Sequence, residues 1–293
     1  MSIHAFYFFY CSIYFILLHM KMSALLCQVD GLIRRSCERL ACFAHTLQLV
    51  VKDGMQAATS ARPVVAKCTK MASLTHQSAH FRTALESKVG SGASIPAANA
   101  TRWSSMYAQL SAVASLDPVK LTSVLSETDH ANLVLNMKER ASLEELVEIL
   151  QPFSEVTDLI QGDSYVTISC VVPSVVALLK YMAGLNSRLR YHGTMVAALV
   201  ESIHRRFSGL LQTLQIQPSS TTQQQPFEQL IYPAAAVMDP TYGFVWLECD
   251  HPGSAEIKAN VKETVIGKIF THVCYIKLQS NHFDLIFQYF LKA

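Results

Sequence analysis

The sequence predicts a mostly α-helical protein with a small α/β part, and three observations support this class. Hydrophobic residues make up 51% of the 293 residues and charged residues only 16%, a composition typical of a globular chain with a buried core rather than of a disordered one. Apolar residues recur at helical intervals through most of the chain after residue 46. One short stretch before residue 46 alternates as a strand does.

The first predicted elements are this short strand and a helix that follows it directly. Residues 40–45 alternate between two faces, as the residues of a half-buried strand do. Beyond them Leu47, Val50, Val51 and Met55 recur at helical spacing. We therefore expect the chain to turn from strand to helix near residue 46.

The next segment is predicted to contain helices separated by a loop. Pro63 fits the first turn of a helix, where its missing N–H costs nothing. Residues 88–103 collect Gly, Pro, Ser and Ala, which predicts a surface loop. Residues 104–116 carry a helical apolar stripe, and the Asp117-Pro118 pair should end that helix.

The clearest predicted helix begins near Ser142. Ser142 and Glu145 match a capping box, in which each side chain satisfies a backbone N–H of the other residue. Apolar residues then recur on one face. We expect Pro152 to kink this helix and Gly162 to end it.

Two further helices and a polar segment complete the predicted order. Residues 166–172 fit either a short extended piece or a turn, and a proline opens the helix predicted over residues 173–182. Another helix is predicted over residues 194–214. Residues 215–226 are polar and low in complexity, so we expect no ordered element there. Strands are thus expected at the start of the chain and, at most, at its end.

Residues 1–20 form an apolar leader without any Asp, Glu, Lys or Arg. The leader fits neither a secretory signal nor a transmembrane helix well, because no basic residue precedes it and Tyr and Phe outnumber Leu. A membrane-directed segment is one interpretation. The interpretation we favour is a buried leader outside the ancestral domain.

The net charge and the spacing of the cysteines exclude two classes of protein, one that binds nucleic acid through its overall charge and one built on disulfides. The net charge of +2 is too small to indicate a nucleic-acid binder by overall electrostatics, so any DNA contact must come from local patches. The eight cysteines lie far apart, without a Cys-x-x-Cys pair. Such thiols are typical of reduced intracellular proteins rather than of a disulfide framework.

Four motifs in order give the chain a family resemblance. Residues 42–53, CFAHTLQLVVKD, resemble the C-x-A-H-x-L-x-L segment of hAT-superfamily transposases and of the zinc-finger BED-domain proteins descended from them. Residues 101–107, TRWSSMY, are similar to the T-R-W-x-S-x-Y segment of the same family. Residues 146–157 and 235–240 resemble its P-F-x-x-x-T helix end and its A-x-x-L-D-P motif. The resemblance covers roughly residues 35–247.

The resemblance implies a fragment of a ribonuclease-H-like core with a long helical insertion domain. On this basis the chain divides into five predicted parts. They are an apolar leader (1–34), a partial ribonuclease-H-like core (35–100), the helical insertion (101–214), a polar linker (215–226) and a return to the core with a divergent tail (227–293).

In full-length relatives the resemblance further implies a BED zinc finger, three acidic residues that hold two metal ions, and a C-terminal dimerisation segment. We recognise none of them in this chain. The acids nearest the expected positions stand outside the family's sequence context, and they are Asp30, Glu38, Glu248, Asp250, Glu256 and Glu263. We therefore expect no catalytic residue, no metal site and no cofactor, zinc and magnesium being cofactors of full-length relatives only.

Cys42 and His45 are the one doublet with zinc-ligand spacing, and two ligands cannot close a tetrahedral site. A thiol–imidazole catalytic pair and a supporting role near bound DNA are alternatives. We favour a structural role at the strand-to-helix turn. Together with Asp239 and Pro240, these residues form the predicted structural family motif.

Arg102 and Trp103 are the candidate nucleic-acid-binding residues. An indole can stack on an unpaired base while a guanidinium holds the adjacent phosphate, and the resemblance implies such a role for this Trp. The alternative, which we favour for a chain without an acidic triad, is that Trp103 anchors the first insertion helix in the core.

The remaining candidate binding residues are more simply interpreted as solvent-exposed side chains. His76 and His80 lie four residues apart, but Gln77 stands where a zinc protease helix has its glutamate, so we expect surface histidines. The basic clusters at residues 34–35 and 204–206 could contact phosphates, although solvated faces are commoner.

The sequence thus predicts a domesticated hAT transposase-like protein without enzymatic activity. We expect a nuclear factor that is associated with DNA or with chromatin proteins in transcription regulation and that takes no small-molecule substrate. Self-association is a property of the family, but we do not recognise its segment here. The alternatives are a metal-dependent DNA transposase of the ribonuclease-H-like class and a protein attached to a membrane through residues 1–20.

Overall fold

The computed structural model describes residues 40–97, 103–161, 167–185, 188–218 and 225–279. The chain divides into two compact units, Met1–Ala41 and Cys42–Ala293, and every helix described belongs to the second. Of the described residues 77% are helical and none lies in a strand. The twelve α-helices described are α1 (Phe43–Ala57), α2 (Arg62–Gln77), α3 (Ala79–Val89), α4 (Trp103–Ser115), α5 (Pro118–Glu127), α6 (Met137–Ile160), α7 (Val171–Leu185), α8 (Gly193–Arg206), α9 (Ser208–Thr213), α10 (Ile231–Met238), α11 (Val245–Cys249) and α12 (Ala255–Gln279).

The mostly α-helical class is confirmed, but the strand predicted over residues 40–45 is wrong. Cys42 is extended and serves as the N-cap of α1, and both the backbone N–H and the hydroxyl of Thr46 bond to its carbonyl oxygen. Phe43 and Leu47 are both buried while His45, midway between them, is exposed, which fits the period of a helix and not that of a strand. A run of six residues is too short for its alternation to tell a strand from a helix start.

Helices α1 and α8 form the central antiparallel pair. At one end the Phe43 ring meets that of Phe207 edge to face, with 5.7 Å between the ring centroids. Near the other end Gly54 lies against Leu199, whose Cδ2 would be 2.5 Å from a Cβ placed on the glycine. The pair therefore packs closely because residue 54 carries no side chain.

Helix α6 is the longest helix of the first half, and its start corrects a prediction. Asn136 and Glu139 form the capping box, each side chain accepting a hydrogen bond from the other residue's backbone N–H. Ser142 and Glu145 lie inside the helix, where the first turn has already passed. Pro152 also lies within α6, which continues to Ile160.

The loop predicted over residues 88–103 lies between α3 and α4. Its described part, residues 90–97, carries the fully buried Ile95, whose carbonyl oxygen is 3.1 Å from His76 Nε2. The buried Gln109 of α4 accepts a hydrogen bond from Thr69 and donates one to the carbonyl of Pro96. The loop is therefore held to α2 and α4 by polar contacts at both sides.

The Asp117-Pro118 pair separates α4 from α5, as predicted. The carboxylate of Asp117 caps α5 by accepting a hydrogen bond from the backbone N–H of Lys120 at 2.9 Å. Pro118 occupies the first turn, where the missing N–H leaves no bond unmade.

Helix α7 follows a 3₁₀ turn at Thr167–Cys170, so the extended alternative for residues 166–172 is wrong over its described part. Thr167–Leu185 is long and apolar enough to cross a membrane, and more than half of it is buried inside the protein. A core helix passes the same test, so the segment is weak evidence for a membrane.

An aromatic cluster joins the second half of the chain to α1. Its members are Phe43, Phe207, Phe227 and Tyr232. Residues 219–224 of the predicted polar linker lie outside the described residues. On its two sides, Ile216 bonds back to α9 and the Gln225 amide oxygen accepts from the Ser208 hydroxyl at 2.9 Å. Helices α10, α11 and α12 follow, with short turns between them. The five predicted domain boundaries stay predictions.

Candidate nucleic-acid interface

Trp103 is the first residue of α4, and Arg102 lies outside the described residues. The indole is half-buried against the core, with its ring centroid 6.4 Å from that of Tyr107 on the next turn. Its Nε1 is buried and has no hydrogen-bond partner among the described residues. Burial of the neighbouring Tyr107 raises the pKa of its hydroxyl. Trp103 thus combines a packed ring with an unused donor, and the choice between its two predicted roles stays open.

Cys42 and His45 lie at the exposed start of α1. The Cys42 side chain makes no capping bond, while its carbonyl oxygen accepts from Thr46. No group of three His, Cys, Asp or Glu side chains that could hold a metal ion occurs within the described ranges. The doublet therefore lies at a helix N-terminus rather than at the predicted strand-to-helix turn.

Asp239 and Pro240 form the turn after α10. The Asp239 carboxylate accepts a hydrogen bond from the Ser169 hydroxyl at 2.6 Å and one from the Thr241 N–H at 2.9 Å. It thereby joins the end of α10 to the 3₁₀ turn before α7. The geometry is that of a structural turn residue.

The cysteines whose side chains are described, Cys42, Cys68, Cys170 and Cys249, are free thiols. Burial raises the pKa of Cys68 to about 12. Burial, with a smaller contribution from the Asp239 charge, raises the pKa of Cys170 to about 11. Both buried thiols are therefore unreactive packing residues at neutral pH.

Of the candidate acids, Asp30 and Glu38 lie outside the described residues. Asp250 forms an ion pair with Lys180 at 3.1 Å. Glu248, Glu256 and Glu263 are exposed on α11 and α12. Nothing in these contacts singles out one of the four as a metal ligand.

The most strongly charged cluster of the described residues is one that the sequence motifs revealed only in part. Asp53 of α1 accepts hydrogen bonds on a single oxygen, Oδ2, from Ser202 Oγ at 2.7 Å, from Arg205 Nη2 at 2.7 Å and from Arg206 Nη2 at 2.8 Å. Burial opposes ionisation of Asp53, but these hydrogen bonds and the two arginine charges outweigh it and lower its pKa. The basic run at 204–206 was the signal in the sequence; its acidic partner is about 150 residues away.

A buried polar cluster around His192 was also missed. His192 is fully buried, with Nε2 2.9 Å from the Ser142 carbonyl oxygen and Nδ1 3.3 Å from Ser60 Oγ. The Glu145 carboxylate accepts hydrogen bonds from three consecutive backbone N–H groups, those of residues 190–192. Ser142 and Glu145 thus bind the segment before α8 instead of capping α6.

Residues 40–149 match the family model of the ZBED1 RNase-like helical domain. The match covers a little more than a third of the chain and includes Cys42, His45 and Trp103, whereas Asp239 and Pro240 lie beyond it. No curated protein matches the chain in sequence. The helices described between residues 43 and 149 agree with such a domain. Residues 40–149 are therefore similar to a domain of ZBED/hAT transposase-derived proteins.

Proposed function

We propose that this chain is a domesticated, non-catalytic relative of hAT transposases that acts in the nucleus as a DNA-associated or protein-interaction factor in transcription regulation. The observation that carries the proposal is the ZBED1 RNase-like helical domain at residues 40–149. Because transposases act on DNA, similarity to a transposase domain makes DNA the partner class that we propose first. A shared fold alone does not establish an activity.

Structural contacts of described carboxylates are in keeping with the non-catalytic part of the proposal: among the six candidate acids Asp250 pairs with Lys180, and three further carboxylates are also engaged. Asp53 is bound to two arginines, and Glu139 accepts a hydrogen bond from Lys67 at 2.8 Å. The Glu145 carboxylate is bound to backbone N–H groups. Two-metal catalysis needs carboxylates that converge on the ions, whereas each of these three has a structural partner.

The DNA-associated part of the proposal is supported by Trp103. Its side chain stays partly exposed at the start of α4. A half-buried indole on a helix can present one edge or face to a base while the helix holds it in place.

The test of the DNA-associated function uses the full chain and a short fluorescent DNA, single-stranded and duplex, in anisotropy titrations over a salt series. We expect binding that weakens as salt rises, because counterions compete for the phosphates. A fluorescent fusion expressed in cells should be recovered with nuclei. Absence of DNA binding at low salt, together with exclusion from nuclei, would overturn the proposal.

The transposase alternative is tested by incubating the full chain with supercoiled plasmid and Mg²⁺ or Mn²⁺. We expect no nicking above a chelator control. Nicking that needs the metal ion and follows the protein through purification would replace the non-catalytic proposal with the enzyme.

The membrane alternative is tested by fractionating the full chain beside a variant without residues 1–20. We expect both proteins in the nuclear fraction. Recovery of only the full chain with membranes would show that the leader is an anchor.

A further inference from the structure

Two guanidinium groups converge on one carboxylate oxygen at the α1–α8 contact. Arg205 Nη2 and Arg206 Nη2 lie 2.7 and 2.8 Å from Asp53 Oδ2. Ser202 donates to the same oxygen at 2.7 Å. One acceptor atom therefore orients both arginines, and the pair carries one positive charge more than Asp53 can neutralise.

The two arginines differ in how firmly they are held. Arg206 is 24% exposed and donates through Nε to Ser202 at 3.1 Å as well as through Nη2 to Asp53. Arg205 is 63% exposed, and within the described part of the chain only its Nη2 makes a hydrogen bond. The other N–H groups of Arg205 are thus left for a further acceptor, on a side chain that is already oriented.

The neighbouring exposed residues preserve the excess of positive charge. Lys52 precedes Asp53 and is exposed, and so is Glu201, one turn before Arg205, so these two charges balance. His204 is engaged with Gln217, with 3.2 Å between Nδ1 and Oε1. The local charge is therefore set by the arginine pair and Asp53.

A row of hydrogen-bond donors continues from this pair along α1. His45, Gln48 and Lys52 are exposed at helical spacing of three and four residues, which places them on one side of the helix. Lys and Gln side chains, like Arg, are among the common donors to nucleic-acid phosphates. The three residues of this row carry no acidic group, but Glu201 offsets the charge of Lys52, so the excess positive charge of this surface comes from Arg205 and Arg206.

We propose that Arg205 and Arg206 bind a backbone phosphate of DNA, that Asp53 positions them, and that the row of His45, Gln48 and Lys52 continues this contact. The planar guanidinium donor fork matches the oxygens of a phosphate, and a pair held in place loses less side-chain entropy on binding. The inference rests on the proposed DNA association and names the surface that would carry it.

A purely structural role makes a different prediction. Arginines in the last turn of a helix interact favourably with its dipole, and the ion pairs with Asp53 join α8 to α1. In that case the loss of Arg205 would change stability and leave DNA affinity as it was.

The decisive variant is Arg205→Gln in the full chain, compared with Arg188→Gln. Arg188 is a matched control, because its side chain is 64% exposed and pairs with one carboxylate, that of Glu148, at 3.2 Å. Binding to one fluorescent duplex is measured by anisotropy at several salt concentrations, and circular dichroism checks that both variants are folded.

We expect Arg205→Gln to weaken duplex binding roughly 5- to 10-fold near 0.1 M salt and to reduce the slope of log affinity against log salt by about 1. Arg205→Lys should keep the slope, since the charge remains. Arg188→Gln should change neither quantity.

Equal effects of Arg205→Gln and Arg188→Gln on a duplex that the parent chain binds would overturn this inference and leave the proposed function standing. If the parent chain binds no DNA, both fail. If it binds an acidic peptide through Arg205 but no DNA, the arginine pair is a protein-interaction site and the phosphate assignment is overturned.

Discussion

The carboxylate of Glu145 accepts a hydrogen bond from the backbone N–H of His192 at 2.7 Å. The same carboxylate bonds to the N–H groups of residues 190 and 191, each at 2.9 Å. One side chain of α6 therefore satisfies the N–H groups of three consecutive residues before α8, which have no partner in a helix of their own.

Replacement of Glu145 by Ala should destabilise the protein by about 2 kcal/mol, since three backbone donors lose a charged acceptor. Its neighbour provides the control. Glu144 is 58% exposed, and among the described residues its one ion pair is with Arg140 in the same helix, so Glu144→Ala should cost less than about 0.5 kcal/mol. Urea unfolding of both variants measures the difference. Equal losses would show that the Glu145 contacts add nothing to stability.

Gly54→Ala should weaken the α1–α8 pair by roughly 1 to 3 kcal/mol, because the new Cβ would lie 2.5 Å from Leu199 Cδ2. Adding Leu199→Ala should restore part of this loss relative to Leu199→Ala alone, which a double-mutant cycle of unfolding free energies detects. Gly184→Ala, in α7 with open space around it, is the control and should cost nothing. Without coupling in the cycle, close packing at Gly54 would be ruled out as the cause.

The buried His251 predicts a pH dependence of stability. Its Nε2 donates to the Leu214 carbonyl oxygen at 2.7 Å, and its Nδ1 accepts from the Gly253 N–H at 3.0 Å, so only the neutral ring satisfies both contacts. Burial, aided by the Lys258 charge, lowers its pKa in the folded protein. The unfolded chain then binds a proton more readily.

The stability that neutral His251 contributes is therefore complete above about pH 6.5, the ordinary pKa of histidine, and is lost as pH falls toward the folded pKa. The free energy of unfolding should fall by up to about 1.4 kcal/mol per pH unit in that window. Urea titrations of the parent chain and His251→Asn should converge as pH falls. His80→Asn, at an exposed position, should leave the profile unchanged. Parallel profiles for the parent chain and His251→Asn would contradict the assignment.

Trp103 variants separate its two predicted roles. If the indole stacks on an unpaired base, Trp103→Ala should lose roughly 1 to 3 kcal/mol of single-stranded DNA binding, while Trp103→Phe keeps most of it. Trp103→Phe also removes a buried N–H that has no partner among the described residues. No hydrogen bond is lost with that N–H, so its removal should not lower stability. A Trp103→Ala protein that stays folded and binds DNA as before would leave only the core-anchor role.

Local patterns predicted much of the helical order. The Asp117-Pro118 pair places the break between α4 and α5 because a cap and a first-turn proline act on adjacent backbone groups. The helix predicted over residues 194–214 is present as α8 and α9. By contrast, two predictions were wrong: a strand over residues 40–45 and a capping box formed by Ser142 and Glu145. Both rested on a short pattern, and a short pattern fits more than one local structure.

The family resemblance was likewise carried by short motifs, and two of them, at residues 42–53 and 101–107, fall within the matched residues 40–149. The similarity of residues 40–149 to this domain could be predicted because the motif residues and their order are properties of the sequence itself. Asp239 shows the limit, because its bond to Ser169 crosses 70 residues and follows from packing alone.

By itself, then, the sequence determined the mostly helical class, the order of most helices and the similarity of residues 40–149 to the ZBED1 RNase-like helical domain, all through local periodicity, caps and motifs. Only the tertiary structure decided that Asp53 would hold Arg205 and Arg206, and that Glu145 would bind the backbone before His192. These partners are brought together when α1 packs against both α8 and α6. A hydrogen bond between groups so distant in sequence depends on that packing, and no local pattern encodes it.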